Sequence, residues 1–158
     1  MHHDVEQLAD MAEETYRGLW TNLAGISEQE LDWRPHPQAN TCRWILGHLI
    51  WFEEWIPAAI EATGRHRSDP GPMTIELGTL ADIRSRFDAA RKRLEATRAE
   101  LTAEDLGREI DFYGETMTLR RLLVTHVTHL AGHRYQIRYI RGTHARAHAL
   151  DKAAFDRW

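Results

Sequence analysis

Two histidines four residues apart, His129 and His133, lie in the stretch Leu122-Leu123-Val124-Thr125-His126-Val127-Thr128-His129-Leu130-Ala131-Gly132-His133-Arg134-Tyr135-Gln136-Ile137. Side chains at i and i+4 stand one above the other on a helix, so one helix can present both imidazoles to a single metal ion. A third histidine, His48, falls in the middle of another strongly apolar helical stretch. If those two helices pack face to face, three neutral imidazoles meet inside the protein.

On a helical wheel, Leu119, Leu122, His126, His129, Leu130, His133, Ile137 and Ile140 share a stripe of roughly 100°. The opposite side carries Arg121, Thr128, Arg134, Tyr135 and Arg138. On the earlier helix the stripe is Thr41, Trp44, Ile45, His48, Phe52, Trp55 and Ala59, with Glu53 and Glu54 projecting roughly opposite. Each buried imidazole needs partners for both ring nitrogens, and an unmet group costs about 1–3 kcal/mol. A divalent metal takes one lone pair from each ring, leaving the other nitrogen to donate to an oxygen. Spacing alone leaves a metal site and a hydrogen-bonded core set about equally open. His126, one turn before His129, reads first as a hydrogen-bonded core histidine, with support behind the ligands or an extra ligand as the alternatives. Gln136, at the stripe's edge, orients a ligand or packs between helices.

The elements that must position these residues are four amphipathic helices. They are expected over about Asp4–Ala24, Thr41–Ala62, Leu80–Leu101 and Leu119–Arg141, the last ending at Gly142. Ser27-Glu28-Gln29-Glu30 is a capping box opening a short turn. Ser68-Asp69-Pro70-Gly71-Pro72 reads as a loop, and Glu109 to Met117 as a hairpin-like passage. Four helices of similar length predict an all-α four-helix bundle. It is expected as a single domain over residues 1–158, with 143–158 as a C-terminal tail that is partly helical.

The 158 residues suffice for one continuous core. The apolar fraction of 42% and net charge of −4, both signs interspersed, give no footprint for nucleic acid. No apolar run approaches the ~20 residues that span a bilayer, and Met1-His2-His3-Asp4 lacks a basic-then-apolar leader. The single cysteine, Cys42, excludes an internal disulfide and suits a reducing cytoplasm. It sits where a helix dipole lowers a thiol pKa, although a lone helical cysteine is usually structural. Tyr113 and Trp51 are candidates for the mouth of the site, and Phe155 and Trp158 for a docked tail. His2, His3, His36, His66, His144 and His148 are expected to be solvated.

Trp33-Arg34-Pro35, Ile45-Leu46-Gly47-His48-Leu49 and His129-xxx-His133-Arg134-x-Gln136-Ile137, in that order and spacing, resemble the DinB-like superfamily (DinB/YfiT-like metal-binding four-helix bundles) over most of the chain. The resemblance implies an up-up-down-down bundle, a metal held by His48, His129 and His133, and a homodimer. It departs from the common pattern at Gly132, where a second histidine is usual, and at Tyr135, where glycine is.

Members of that superfamily include thiol S-transferases and an isomerase using bacillithiol or mycothiol. The resemblance therefore implies a metal-dependent enzyme that activates a low-molecular-weight thiol toward a small electrophile. Three imidazoles leave open positions on a divalent ion, as catalytic sites do. The ligand type suits zinc first, with nickel or iron as alternatives. The competing expectations are a non-catalytic metal-binding or stress-related protein, and a binding module whose histidines form only a polar core.

Overall fold

A computed structural model describes residues 2–61, 67–68, 76–112 and 114–148. Four long helices dominate: α1 (His3–Asn22), α3 (Cys42–Glu61), α4 (Leu80–Ala99) and α6 (Leu119–Ala147). Two short ones, α2 (Glu28–Leu31) and α5 (Ala103–Gly107), punctuate the connections. Side-chain caps begin five of them: His2 for α1, Ser27 for α2, Thr79 for α4, Thr102 for α5 and Thr118 for α6. Each accepts a hydrogen bond from a backbone N–H of the first turn, meeting one of the donors every helix start leaves orphaned. The expected capping box at Ser27 is half made. Glu30 N–H donates to Ser27 Oγ at 3.0 Å, while the Glu30 carboxylate turns away to Arg141 at 2.8 Å.

The all-α class is as expected, but the helix directions are not up-up-down-down. Arg120 and Asp4 pair at the starts of α6 and α1, and Arg141 reaches the Asn22 carbonyl where α1 ends, so these two run parallel. Arg43 meets Gly78 at one end of α3 and α4 and Thr97 meets Glu61 at the other, with Arg86 on Glu54 at 2.7 Å between, so these also run parallel. Glu13–Arg91 and Trp20–Arg84 set α1 antiparallel to α4. His48–His129 and Glu53–His126 do the same for α3 and α6. The order is therefore up-down-down-up.

Helix α6 passes through Gly142 to Ala147, beyond the expected end. Gly142 is buried, its φ is not positive, and Ala145 packs inward one turn later, so nothing there requires a stop. The hairpin is present as β2 (Glu109–Phe112) and β3 (Glu115–Thr118), turning at Gly114 with φ 81°. It is joined by β1 (Arg67–Ser68), parallel to β2, in a three-stranded sheet ordered β1-β2-β3. Two apolar clusters fill the bundle. One is built on Tyr16, Leu46, Ile50, Phe87 and Leu130; the other on Phe52, Ile56, Leu94, Ile110 and Leu123. Among the described residues no helix is long and apolar enough to cross a membrane.

Candidate metal centre

The histidine site is assembled where α3 and α6 cross antiparallel. α3 is apolar around most of its circumference, so it packs on several neighbours at once and carries His48 to the bundle's interior edge. Gly47 allows this approach: a Cβ there would lie 2.7 Å from Leu77 Cδ1, on the segment leading into α4. From α6, His129 and His133 project toward His48. The His48 and His129 Nε2 atoms are 2.9 Å apart, and those of His133 and His129 are 3.1 Å apart. Each residue offers one ligand atom, and all three lie within 4.8 Å of one another. A tetrahedral ion with bonds of about 2.0–2.1 Å holds neighbouring nitrogens about 3.3 Å apart, so the ring spacing suits one ion of that size. Among the described residues no other group of histidine, cysteine or carboxylate donors converges in this way.

Electrostatics favour the neutral, ligand-competent rings. Burial lowers the pKa of all three, with neighbouring imidazoles adding to the effect at His48 and His129. For His129, the innermost, the value falls to about 3. At His133 the hydrogen bond to Gln136 opposes the shift. That bond, His133 Nδ1–H donating to Gln136 Oε1 at 2.7 Å, puts the ring hydrogen on Nδ1 and leaves the Nε2 lone pair facing the cluster. Of the two roles open to Gln136, this contact places it against His133.

Aromatic rings collar the cluster. His48 is stacked between Trp44, with ring centroids 5.2 Å apart, and Trp51, at 5.6 Å. Phe52 packs edge-on against His129 at 4.6 Å, and the hairpin adds Phe112 against Trp55 at 5.3 Å. Trp44 is 40% exposed, so the collar opens to solvent on that side. Trp51, a candidate for the mouth, is half-buried against His48. Tyr113, His66, Phe155 and Trp158 lie outside the described residues.

His126 does not join the cluster. Its Nε2 sits 2.6 Å from Glu53 Oε1, and Tyr16 donates its hydroxyl to the same oxygen. Glu53, expected to point away from the site, is 1% exposed. The signal that could have found it is its own neighbourhood: Leu49, Ile50, Ile56, Pro57 and Ile60, at helical spacings around it, are all buried. Arg98, 2% exposed, faces the same carboxylate from α4, and burial lowers its pKa. Burial, then the Glu53 carboxylate, holds the Tyr16 phenol well above its usual range.

Two further expectations change. Arg134 is half-buried; its guanidinium lies over Gly18 of α1, where a Cβ would come within 2.2 Å of it. His144 lies half-buried within α6, its ring centroid 5.1 Å from Trp33, whereas His148 caps that helix and is exposed, as expected. Cys42 has the buried place usual for a lone helical cysteine, and burial pushes its thiol up to about 12.

No curated protein matches the chain. A family model described as the DinB superfamily matches residues 11–137, a span that includes His48, His129, His133 and Gln136. The match covers most of the sequence, and the chain belongs to the DinB superfamily.

Proposed function

We propose that this protein is a metal-dependent enzyme, a thiol S-transferase or isomerase that activates a low-molecular-weight thiol of the bacillithiol or mycothiol type. His48, His129 and His133 hold a divalent ion, zinc by donor type with nickel or iron as alternatives. The observation that carries the reading is the convergence of three Nε2 atoms from two helices, none of them claimed by an oxygen acceptor among the described residues. A divalent ion bound there supplies Lewis acidity, which lowers the pKa of a thiol or water in its open positions.

The chain's own residues do the rest. Gln136 holds His133 in the tautomer that donates from Nε2. The aromatic collar excludes water from one side and offers a carbon-rich surface to the electrophile. In a transfer, the thiol sulfur loses its proton and forms a bond to the electrophilic carbon, and the leaving group departs with the electron pair. In an isomerisation, the same sulfur adds and is later eliminated, returning the thiol unchanged.

A second reading, a metal-binding protein without catalysis, is favoured by one feature. The carboxylate nearest the cluster in the α3 sequence, Glu53, is sealed in the core and is no general base for a substrate. Titrating cobalt-loaded, untagged protein with a small thiol separates the two. New thiolate-to-cobalt charge-transfer bands are expected. Bound cobalt indifferent to thiol would leave only the second reading, and failure to bind cobalt would remove both.

A further inference from the structure

His126 shares the inner face of α6 with His129, three residues away, but meets a carboxylate instead of the cluster. Four helices deliver that set: Tyr16 from α1, Glu53 from α3, Arg98 from α4 and His126 from α6. It lies at the seam of the two apolar clusters, between Ile50 and Ile56 on α3 and between Leu123 and Val127 on α6. Buried ionic groups of this kind are weak sources of stability, because apolar residues of similar volume often do as well. Stability alone is therefore a poor reason for it.

Two unmet valences point to another. His129 Nδ1 and His126 Nδ1 are both buried with no partner among the described residues. His126 places its ring hydrogen on Nε2, toward Glu53 Oε1, so its Nδ1 is an acceptor. His129 turns its Nε2 lone pair toward the cluster, so its Nδ1 carries the hydrogen. One donor and one acceptor thus stand a turn apart on one helix face, with the Phe52 ring packed against both rings, its centroid 4.6 Å from His129 and 6.4 Å from His126. Ligating histidines ordinarily give their second N–H to an oxygen or a water, which fixes the ring and raises its basicity.

We infer that Tyr16, Glu53 and His126 are a positioning array for the metal centre: Glu53 polarises His126, whose Nδ1 accepts from His129 Nδ1–H through one shared water. Tyr16 holds the carboxylate from the far side. The array aims His129 Nε2 at the cation, as Gln136 aims that of His133. This rests on the reading of the triad as a metal site, and on none of the proposed chemistry.

The test compares zinc affinity of the metal-free wild type and Glu53→Gln, by competition with a chromophoric chelator, together with the cobalt d–d spectrum and the apo unfolding midpoint. Glu53→Gln keeps an acceptor for His126 and Tyr16 but removes the charge. Zinc binding weakened by about 10–100-fold, with a shifted cobalt spectrum, is expected. Affinity within twofold of wild type and an unchanged spectrum, whatever the midpoint does, would overturn the inference while the triad stands. Wild-type protein that binds no zinc would overturn the metal reading itself. If Glu53→Gln loses its helical signal, His126→Gln, which retains a donor for Glu53, is read in its place with the same outcomes.

Discussion

His126 and His129 are the same residue type on the same face of one helix, yet they have opposite fates. His126 is sealed in the core with its Nε2 on a carboxylate, whereas His129 meets two other imidazoles beside a mouth that opens to solvent. What differs is the residue that antiparallel α3 sets opposite each: Glu53 for one, His48 for the other. A histidine's role in this bundle is thus assigned by its cross-helix partner. One ring is held by a carboxylate of the core, the other stands in a group of three that could hold an ion.

The largest effects should dissociate the two regions. His48→Ala and His133→Ala are expected to bring metal content close to zero while the apo helical content survives, because both rings are only half-buried; His36→Ala, at an exposed site, should leave metal content intact. Elemental analysis beside circular dichroism reads this, and equal metal in all three variants would abolish the contrast. Glu53→Ala should act first on the fold. It strands His126, Tyr16 and Arg98 in the core and should cost about 3–5 kcal/mol, measured by denaturant unfolding of the apo-protein.

Acid sharpens the comparison. His129 stays neutral in the fold down to about pH 3, whereas an unfolded histidine takes up its proton near its ordinary value of 6.5. Between those values the unfolded chain binds more protons. Stability from this group is therefore whole above about pH 6.5 and declines as the pH falls below it. The urea midpoint of the apo-protein should drop between pH 6.5 and 4.5, and drop less in His129→Leu; parallel profiles would place the sensitive groups elsewhere.

Smaller effects probe the rim. Gln136→Leu, at an exposed position, should weaken zinc binding by about tenfold without moving the unfolding midpoint. Gly132 lies between the two ligands of α6 on an exposed helical stretch, and an added Cβ would meet nothing within 4 Å. Gly132→Ala should stabilise by about 0.5–1 kcal/mol and leave metal content unchanged. Loss of metal there would show that the mouth extends over α6 further than the collar does.

The histidine geometry was largely legible in the sequence, since 3.6-residue periodicity alone puts His129 and His133 on the buried stripe of α6 and His48 on that of α3. Glu53 was not, because a wheel with a single apolar stripe has no place for a helix buried on several sides. On α3 the residues flanking Glu53 are as buried as those flanking His48. The end of α6 was misplaced for a related reason. A glycine signals a stop only when it takes up positive φ, and Gly142 does not.

By itself the sequence determined four amphipathic helices, the hairpin-like passage before the last of them and the three imidazoles able to share an ion, because these follow from local periodicity and backbone chemistry. Only the tertiary structure decided that the bundle runs up-down-down-up, that Glu53 takes His126 out of the cluster, and that Trp44 and Trp51 enclose His48. Those outcomes depend on which helix faces which and in what direction. Pairings of residues as distant in the chain as Asp4 and Arg120, or Glu53 and His126, set that direction, and no periodicity within one helix encodes them.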